Sequence, residues 1–232
     1  MINDQSEVIV DEIQTKSGHF IGRLTLNAPQ RMNSLTLEMV STMLSALVSW
    51  ETRKDIVCVV IDGRGERAFC AGADIKKLYF SCIAPSEGDF ELGSYATEFF
   101  QVEYQLDRLL HEYKIPTVCI GHGVVMGGGL GILSACRHRL VMDGSRLAYP
   151  EITIGLFADA GASILFQKLP LNAALFLALT GSELDSRDAL TLGVATNQFR
   201  SLDSSSLLKR LSVLKYSADR EHNDRLLDSF FH

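Results

Sequence analysis

Six consecutive apolar residues, Ile56-Val-Cys-Val-Val-Ile61, run directly into Asp62-Gly63. A strand with one wet face alternates apolar and polar side chains. An unbroken run closed by a turn signal instead predicts a strand buried on both faces, as in a parallel sheet covered by helices. The preceding segments agree. Leu37, Val40, Met43, Leu44, Leu47 and Trp50 recur at helical spacing, with Thr36 placed to cap them. Val8–Ile13 and His19–Leu26 read as strands, the second ended by Asn27-Ala-Pro-Gln30. Strand–helix–strand order predicts an α/β unit.

The same reading continues along the chain. Ile75–Phe80 predicts a short helix, residues 81–95 a looser flap with Pro85, Gly88 and Gly93, and Tyr95–Tyr113 a helix. Pro116–Ile120, Arg139–Met142 and Arg146–Ala148 predict strands; Leu130–Ala135, Ala160–Leu169, Ala173–Leu179 and Ser186–Leu190 predict helices; Gly193–Ala195 leads to a last strand. From Ser201 to Phe231 the chain is polar and amphipathic, with Leu207, Leu208, Leu211 and Leu214 on one face. This predicts a core over residues 1–200 and a helical tail over 201–232.

Composition narrows the function classes. A chain of 232 residues, 47% hydrophobic, has ample core for one domain. Its net charge of −6 comes with no basic stripe, which argues against a nucleic-acid partner. The longest apolar stretches are interrupted by Gly, Pro or charge, which argues against a membrane span. The five cysteines are scattered, without CxxC or zinc-ligand spacing, so free thiols in a reducing compartment and no metal site are expected. The polar, acidic start MINDQSEVIVDEIQ does not read as a signal peptide, and a cytoplasmic location is expected.

Two glycine-rich turns carry the first functional signal. Around Gly72, in Ala68-Phe-Cys-Ala-Gly-Ala-Asp-Ile75, small residues allow a tight turn whose amides project into a cleft; an ordinary strand-to-helix turn with Asp74 near its cap explains the same residues. In Met126-Gly-Gly-Gly-Leu-Gly131, three consecutive glycines carry a large entropic cost before an apolar helix and point to close backbone approach. The helix N-terminus that follows favours developing negative charge. Neither a phosphate loop nor a dinucleotide fingerprint fits, because no Lys-Ser/Thr and no GxGxxG spacing is present.

Two carboxylates follow. Glu151, between Pro150 and Ile152, is placed for partial desolvation and a raised pKa, which suits a general base or nucleophile; a salt-bridged structural Glu is the alternative. Asp159 sits in a small-residue turn before an apolar helix and reads either as a second acid or as an N-cap. His122 lies between two glycines, where it can line a cleft. His111 and His138 stand beside charged residues and read as surface groups. Asp107, Arg108, Glu112 and Lys114 read as a solvated helix face. No GxSxG elbow is present.

Four ordered motifs, Pro29-Gln-Arg-Met-Asn-Ser-Leu35, Phe69-Cys-Ala-Gly-Ala-Asp-Ile-Lys76, Met126-Gly-Gly-Gly129 and Pro150-Glu151, resemble the crotonase (enoyl-CoA hydratase/isomerase) superfamily over about residues 8–200. That resemblance implies a spiral of ββα units with flanking C-terminal helices, often in trimers, and acyl-CoA thioesters as substrates. It implies an oxyanion hole from the N–H groups of Ala73 and Gly128, and substrate or CoA contacts around Arg31, Met32, Ala71, Gly72, Asp74, Ile75 and Gly127. Coenzyme A enters as part of the substrate, with no metal or other cofactor. Hydratases of the family carry two glutamates; the first falls here on Gly131, the second on Glu151. Gly131, Glu151 and Asp159 together resemble the 3-hydroxyisobutyryl-CoA hydrolase-like members, as do Glu103–Tyr113, Ile154–Phe157, Phe176–Gly181 and Gly193–Asn197. Ala158, Ala162 and a C-terminal region ending at His232 depart from that pattern. The implied activity is hydrolysis of a short (β-hydroxy)acyl-CoA. A single-glutamate enoyl-CoA isomerase or hydratase and a non-catalytic acyl-CoA binder are the alternatives.

Overall fold

The computed structural model describes residues 6–83, 94–200 and 203–231. Most of the 81–95 flap therefore lies outside the described residues. Strands β1 (Val8–Gln14) and β2 (Phe20–Leu26) form an antiparallel pair. Helix α1 (Leu37–Glu51) is capped by the Thr36 side chain, which accepts from the Met39 N–H, and buries Met39, Val40, Met43, Leu47 and Trp50. Strand β3 (Ile56–Gly63) follows, with its first seven residues buried, so both faces are covered as the apolar run required.

After β3 the chain repeats one device. A strand joins a large sheet, the next joins a small sheet, and a helix or turn leads back. β3 is followed by β4 (Ala68–Cys70), then α2 (Ile75–Ile83) and α3 (Ser94–Glu112); β5 (Thr117–Gly121) by β6 (Val124–Met126), then α4 (Gly128–Ala135); β7 (His138–Met142) by β8 (Arg146–Ala148), then a 3-10 turn, Glu151–Ile154. Helices α5 (Ala162–Phe166) and α6 (Leu171–Thr180), strand β9 (Leu184–Asp185), helix α7 (Ser186–Thr191), strand β10 (Asn197–Phe199) and helices α8 (Ser204–Ser212) and α9 (Arg220–Phe231) complete the described chain. The large sheet runs β1-β2-β3-β5-β7-β10, parallel from β2 onward. The small sheet runs β4-β6-β8-β9, with β4, β6 and β8 mutually parallel.

Two apolar layers hold this spiral together. One lies between the sheets and the helices α1, α3 and α4. The other covers the far face of the large sheet, where Leu207, Leu208, Leu211, Tyr216 and Leu227 pack on Ile21, Val57, Val60, Val118 and Leu140. The tail is two helices separated by a break. The helix expected over Ala160–Leu169 is shorter, Ala162–Phe166: Ala160 and Gly161 adopt left-handed backbone (φ 41° and 77°) before it, and Pro170 follows it.

Candidate active site

Because β4, β6 and β8 are adjacent and parallel, the segments leaving their C-terminal ends lie side by side. Those segments are Ala71–Ala73, Gly127–Gly128 and Tyr149–Glu151, so topology alone collects both glycine turns and the first acid at one sheet edge, where ligands of α/β folds bind.

The first turn is held by the Pro29–Leu35 segment. Ala71 N–H donates to Met32 O at 3.0 Å, Leu35 N–H to Gly72 O at 2.8 Å and Asp74 N–H to Leu35 O at 2.9 Å. Asn33, fully buried and itself at φ 54°, locks that segment in place: its Nδ2 donates to the carbonyls of Arg64, Ala68 and Phe69 and its Oδ1 accepts from Ala28 N–H. Gly72 needs its freedom, with φ 90° and a Cβ position 3.1 Å from Met126 O. The second turn is tighter still. Gly127 (φ 53°) would place a Cβ 2.8 Å from Glu151 Oε1, and a Cβ at Gly128 would collide with Glu103 Oε1. The flanking amides of Gly72, Asp74 and Gly127 all have acceptors, whereas among the described residues those of Ala73 and Gly128 have none. Gly128 opens α4, so its N–H is one of the donors a helix leaves unused.

These groups line a cavity of about 150 Å³ with Ala71, Gly72, Ala73, Ile75, Gly127, Gly128, Glu103, Glu151 and Asp159 on its wall. Glu151 is 9% exposed; its Oε2 is buried with no partner among the described residues, and burial, aided by Asp159, pushes its pKa up to about 7 despite an opposing backbone hydrogen bond. The carboxyl is therefore poised between acid and base near neutrality. Asp159 does not cap α5 with its side chain: Oδ2 accepts from Tyr104 Oη at 2.7 Å, and that bond, after burial, raises the phenol.

Gly131 lies elsewhere. It is buried in α4, and any Cβ there would run into the Ala160 carbonyl. Arg31 is turned from the cavity to Glu7, which it meets at 2.7 Å, and Met32 and Asp74 also stand off its wall. His122 Nε2 donates to Gly65 O and borders a separate surface cavity.

Three sequence expectations are corrected here. Asp107 is not solvated; it is 4% exposed, and neither carboxylate oxygen has a partner among the described residues. His138 is 2% exposed and stacks beside Phe231, ring centres 4.7 Å apart, because the tail helix covers it. His111 is half-buried, with Nε2 shut off from solvent. Glu103 was unassigned by local motif reasoning yet sits against Gly128, and burial holds its carboxyl well above the usual range. One signal marked both acids: Phe99, Leu106 and Leu110 are buried on α3, and Glu103 and Asp107 fall within that stripe.

The family model for enoyl-CoA hydratase/isomerase matches residues 21–232. The chain belongs to the enoyl-CoA hydratase/isomerase family. Within it, the chain is 37% identical to a mitochondrial 3-hydroxyisobutyryl-CoA hydrolase of Danio rerio over 209 residues, 90% of this chain and 53% of the relative. It is 33% identical to the Homo sapiens enzyme of that name over 95% of this chain and 55% of the relative. It thus spans about half the length of these curated relatives. A carnitinyl-CoA dehydratase from Mycobacterium thermoresistibile superposes with a TM-score of 0.79 at 33% identity, over 97% of this chain and 61% of the other. The crotonase fold expected from the four motifs is the fold observed, and acyl-CoA processing is the family's chemistry.

Proposed function

We propose that this family member hydrolyses a short β-hydroxyacyl-CoA thioester. The observation that carries the reading is the buried carboxylate of Glu151 beside two amides unused among the described residues, with Asp159 on the same cavity wall and glycine at position 131. The thioester oxygen sits between the Ala73 and Gly128 N–H groups, each worth about 2.7–4 kcal/mol to a developing oxyanion. Glu151 activates water or attacks the carbonyl carbon. Asp159, steered by Tyr104, orients the water or the substrate hydroxyl. The CoA moiety passes the first turn near Ala71, Gly72 and Ile75, toward Arg31, Met32 and Asp74, with Gly127 beneath the acyl group. Catalysis of this type calls on no metal or further cofactor.

Glu103 supports a second reading, proton transfer on an enoyl-CoA by Glu151 with Glu103 as partner, since both acids face the cavity. For the assembled state we favour a homotrimer. Exposed Phe157, Leu171, Phe176 and Leu179 support an associated form.

A thiol-release screen over short acyl-CoAs, β-hydroxy esters included, tests the reading beside a double-bond-migration assay. Hydrolysis is expected to fall about 10²–10⁴-fold in Glu151→Gln with binding of the CoA ester retained, and to fall also in Asp159→Asn. Double-bond migration without thiol release selects the second reading. Binding with neither leaves a non-catalytic acyl-CoA binder.

A further inference from the structure

Two tyrosines hold Asp159. Its turn has left-handed backbone at Ala160 and Gly161, and buried Tyr149 fixes that turn, its Oη donating to Ala160 O at 3.2 Å. Its carboxylate is fixed by Tyr104, whose Oη donates to Oδ2 at 2.7 Å, the length of a hydroxyl bond to a charged oxygen. Burial and that bond raise the Tyr104 phenol, so it stays a donor through the neutral range. Asp159 lines the candidate cavity, whereas Tyr104 is not on its wall. The phenol therefore reaches the acid from outside the wall. It stands one helical turn beyond Phe100, which does line the cavity and lies against the Tyr104 ring with centres 5.8 Å apart.

With Oδ2 committed to the phenol, Oδ1 is the oxygen that Asp159 offers to a ligand. It has no hydrogen-bond partner among the described residues. No lysine, arginine or histidine among them lines the cavity, and Thr153, the hydroxyl side chain of the wall, donates to Pro150 O at 2.7 Å. The donor for Oδ1 therefore arrives with the ligand. A hydroxylated acyl group supplies it within the bound molecule, whereas an unsubstituted one leaves the acceptor unpaired or to solvent. A site arranged to hydrogen-bond a substrate hydroxyl discriminates against the analogue that lacks it.

We propose that Tyr104 determines specificity: by holding Oδ2 of Asp159 it aims Oδ1 at the β-hydroxyl of the acyl group, and so selects a β-hydroxyacyl-CoA over the unsubstituted ester. The proposal rests on the β-hydroxyacyl-CoA reading above and assigns Asp159 to the substrate hydroxyl in preference to water. Tyr104 acts through Asp159 and is a positioning residue. A free aspartate side chain samples several rotamers, and a ligand that binds it has to order it. The phenol orders it in the fold, before the ligand arrives. The amides of Ala73 and Gly128 and the carboxyl of Glu151 meet the thioester alike in both esters. Loss of the phenol is therefore felt by the hydroxylated ester alone.

The test is a calorimetric titration of Glu151→Gln, in which CoA esters bind without turnover, with β-hydroxybutyryl-CoA and with butyryl-CoA, before and after adding Tyr104→Phe. Phenylalanine keeps the ring and its contact with Phe100 and removes only the donor. Glu151→Gln is expected to bind the hydroxylated ester about tenfold or more tightly than the unsubstituted one. Adding Tyr104→Phe is expected to cut that preference to about twofold or less while butyryl-CoA affinity stays within about twofold. Equal binding of the two esters before the phenol is removed, a preference that Tyr104→Phe leaves intact, or an equal loss for both esters overturns the proposal. Thiol release by wild type tests the hydrolase reading separately. A wild type that releases no thiol overturns hydrolysis alone, and the affinity ratios then decide for Tyr104. A chain that binds neither ester overturns both.

Discussion

Asp107 makes a stability prediction that is independent of catalysis. Its carboxyl titrates near 3.8 when solvated and at about 8 in the fold, because burial disfavours its charged form. Between those values the folded chain binds one more proton than the unfolded chain, so this residue's contribution is complete below about pH 4 and is lost as pH rises through about 8. Asp107→Asn removes the effect. Urea melts at pH 5, 7 and 9 should show the variant gaining on wild type as pH rises, by an amount on the order of several kcal/mol between the extremes. A difference that stays constant with pH would mean Asp107 is hydrated in solution. The same residue shows where sequence reading fails. Glu151 was legible because Pro150 and Ile152 announce desolvation. Asp107 was not, because Arg108, Glu112 and Lys114 beside it form a solvated face and only the phase of the helix separates the two.

At the scale of elements, the glycine turns and strands were legible because each is a local necessity: Gly72 and Gly127 hold positive φ, and the β3 run is apolar because both faces are covered. What local pattern does not contain is the alternation of strands between two sheets, which sets β4, β6 and β8 parallel and brings distant motifs together. Nor does it show what Gly131 faces. As a missing acid it reads as an empty position on the wall of the site; in the fold it is the contact between α4 and the Ala160 turn, whose left-handed backbone is pinned by Tyr149 Oη donating to Ala160 O at 3.2 Å. A second glutamate therefore cannot be installed by one substitution. Gly131→Glu should create no enoyl-CoA hydration and should cost about 1–3 kcal/mol or more through overpacking. Hydration assays with thermal melts check this, and a folded variant that hydrates would show that the 160 turn yields.

For the whole molecule, the question is what covers its apolar flank. Leu171, Phe157, Leu179 and Phe176 are 57–75% exposed on the segment from the Glu151–Ile154 3-10 turn to α6, and Ile154 and Leu156 carry that surface to the lip of the candidate cavity. Scattered exposed apolar residues are ordinary, but a run of them on consecutive elements marks an interaction surface. Burying each is worth about 1.5–3 kcal/mol, enough in sum to offset the entropy of association for a modest interface. A net charge of −6 does not prevent this, because the flank itself carries few charges. The trimer reading therefore has a direct test. Sedimentation at micromolar concentration should give a mass near three chains, and Leu171→Asp with Leu179→Asp should shift it toward one chain while circular dichroism stays unchanged. Thiol release measured on the same samples then separates two roles for the flank. Activity that falls with the mass places the partner at the cavity lip, whereas activity that survives dissociation assigns the flank to assembly alone. A wild-type chain that sediments as a monomer across that range would remove the trimer and leave the flank to another partner.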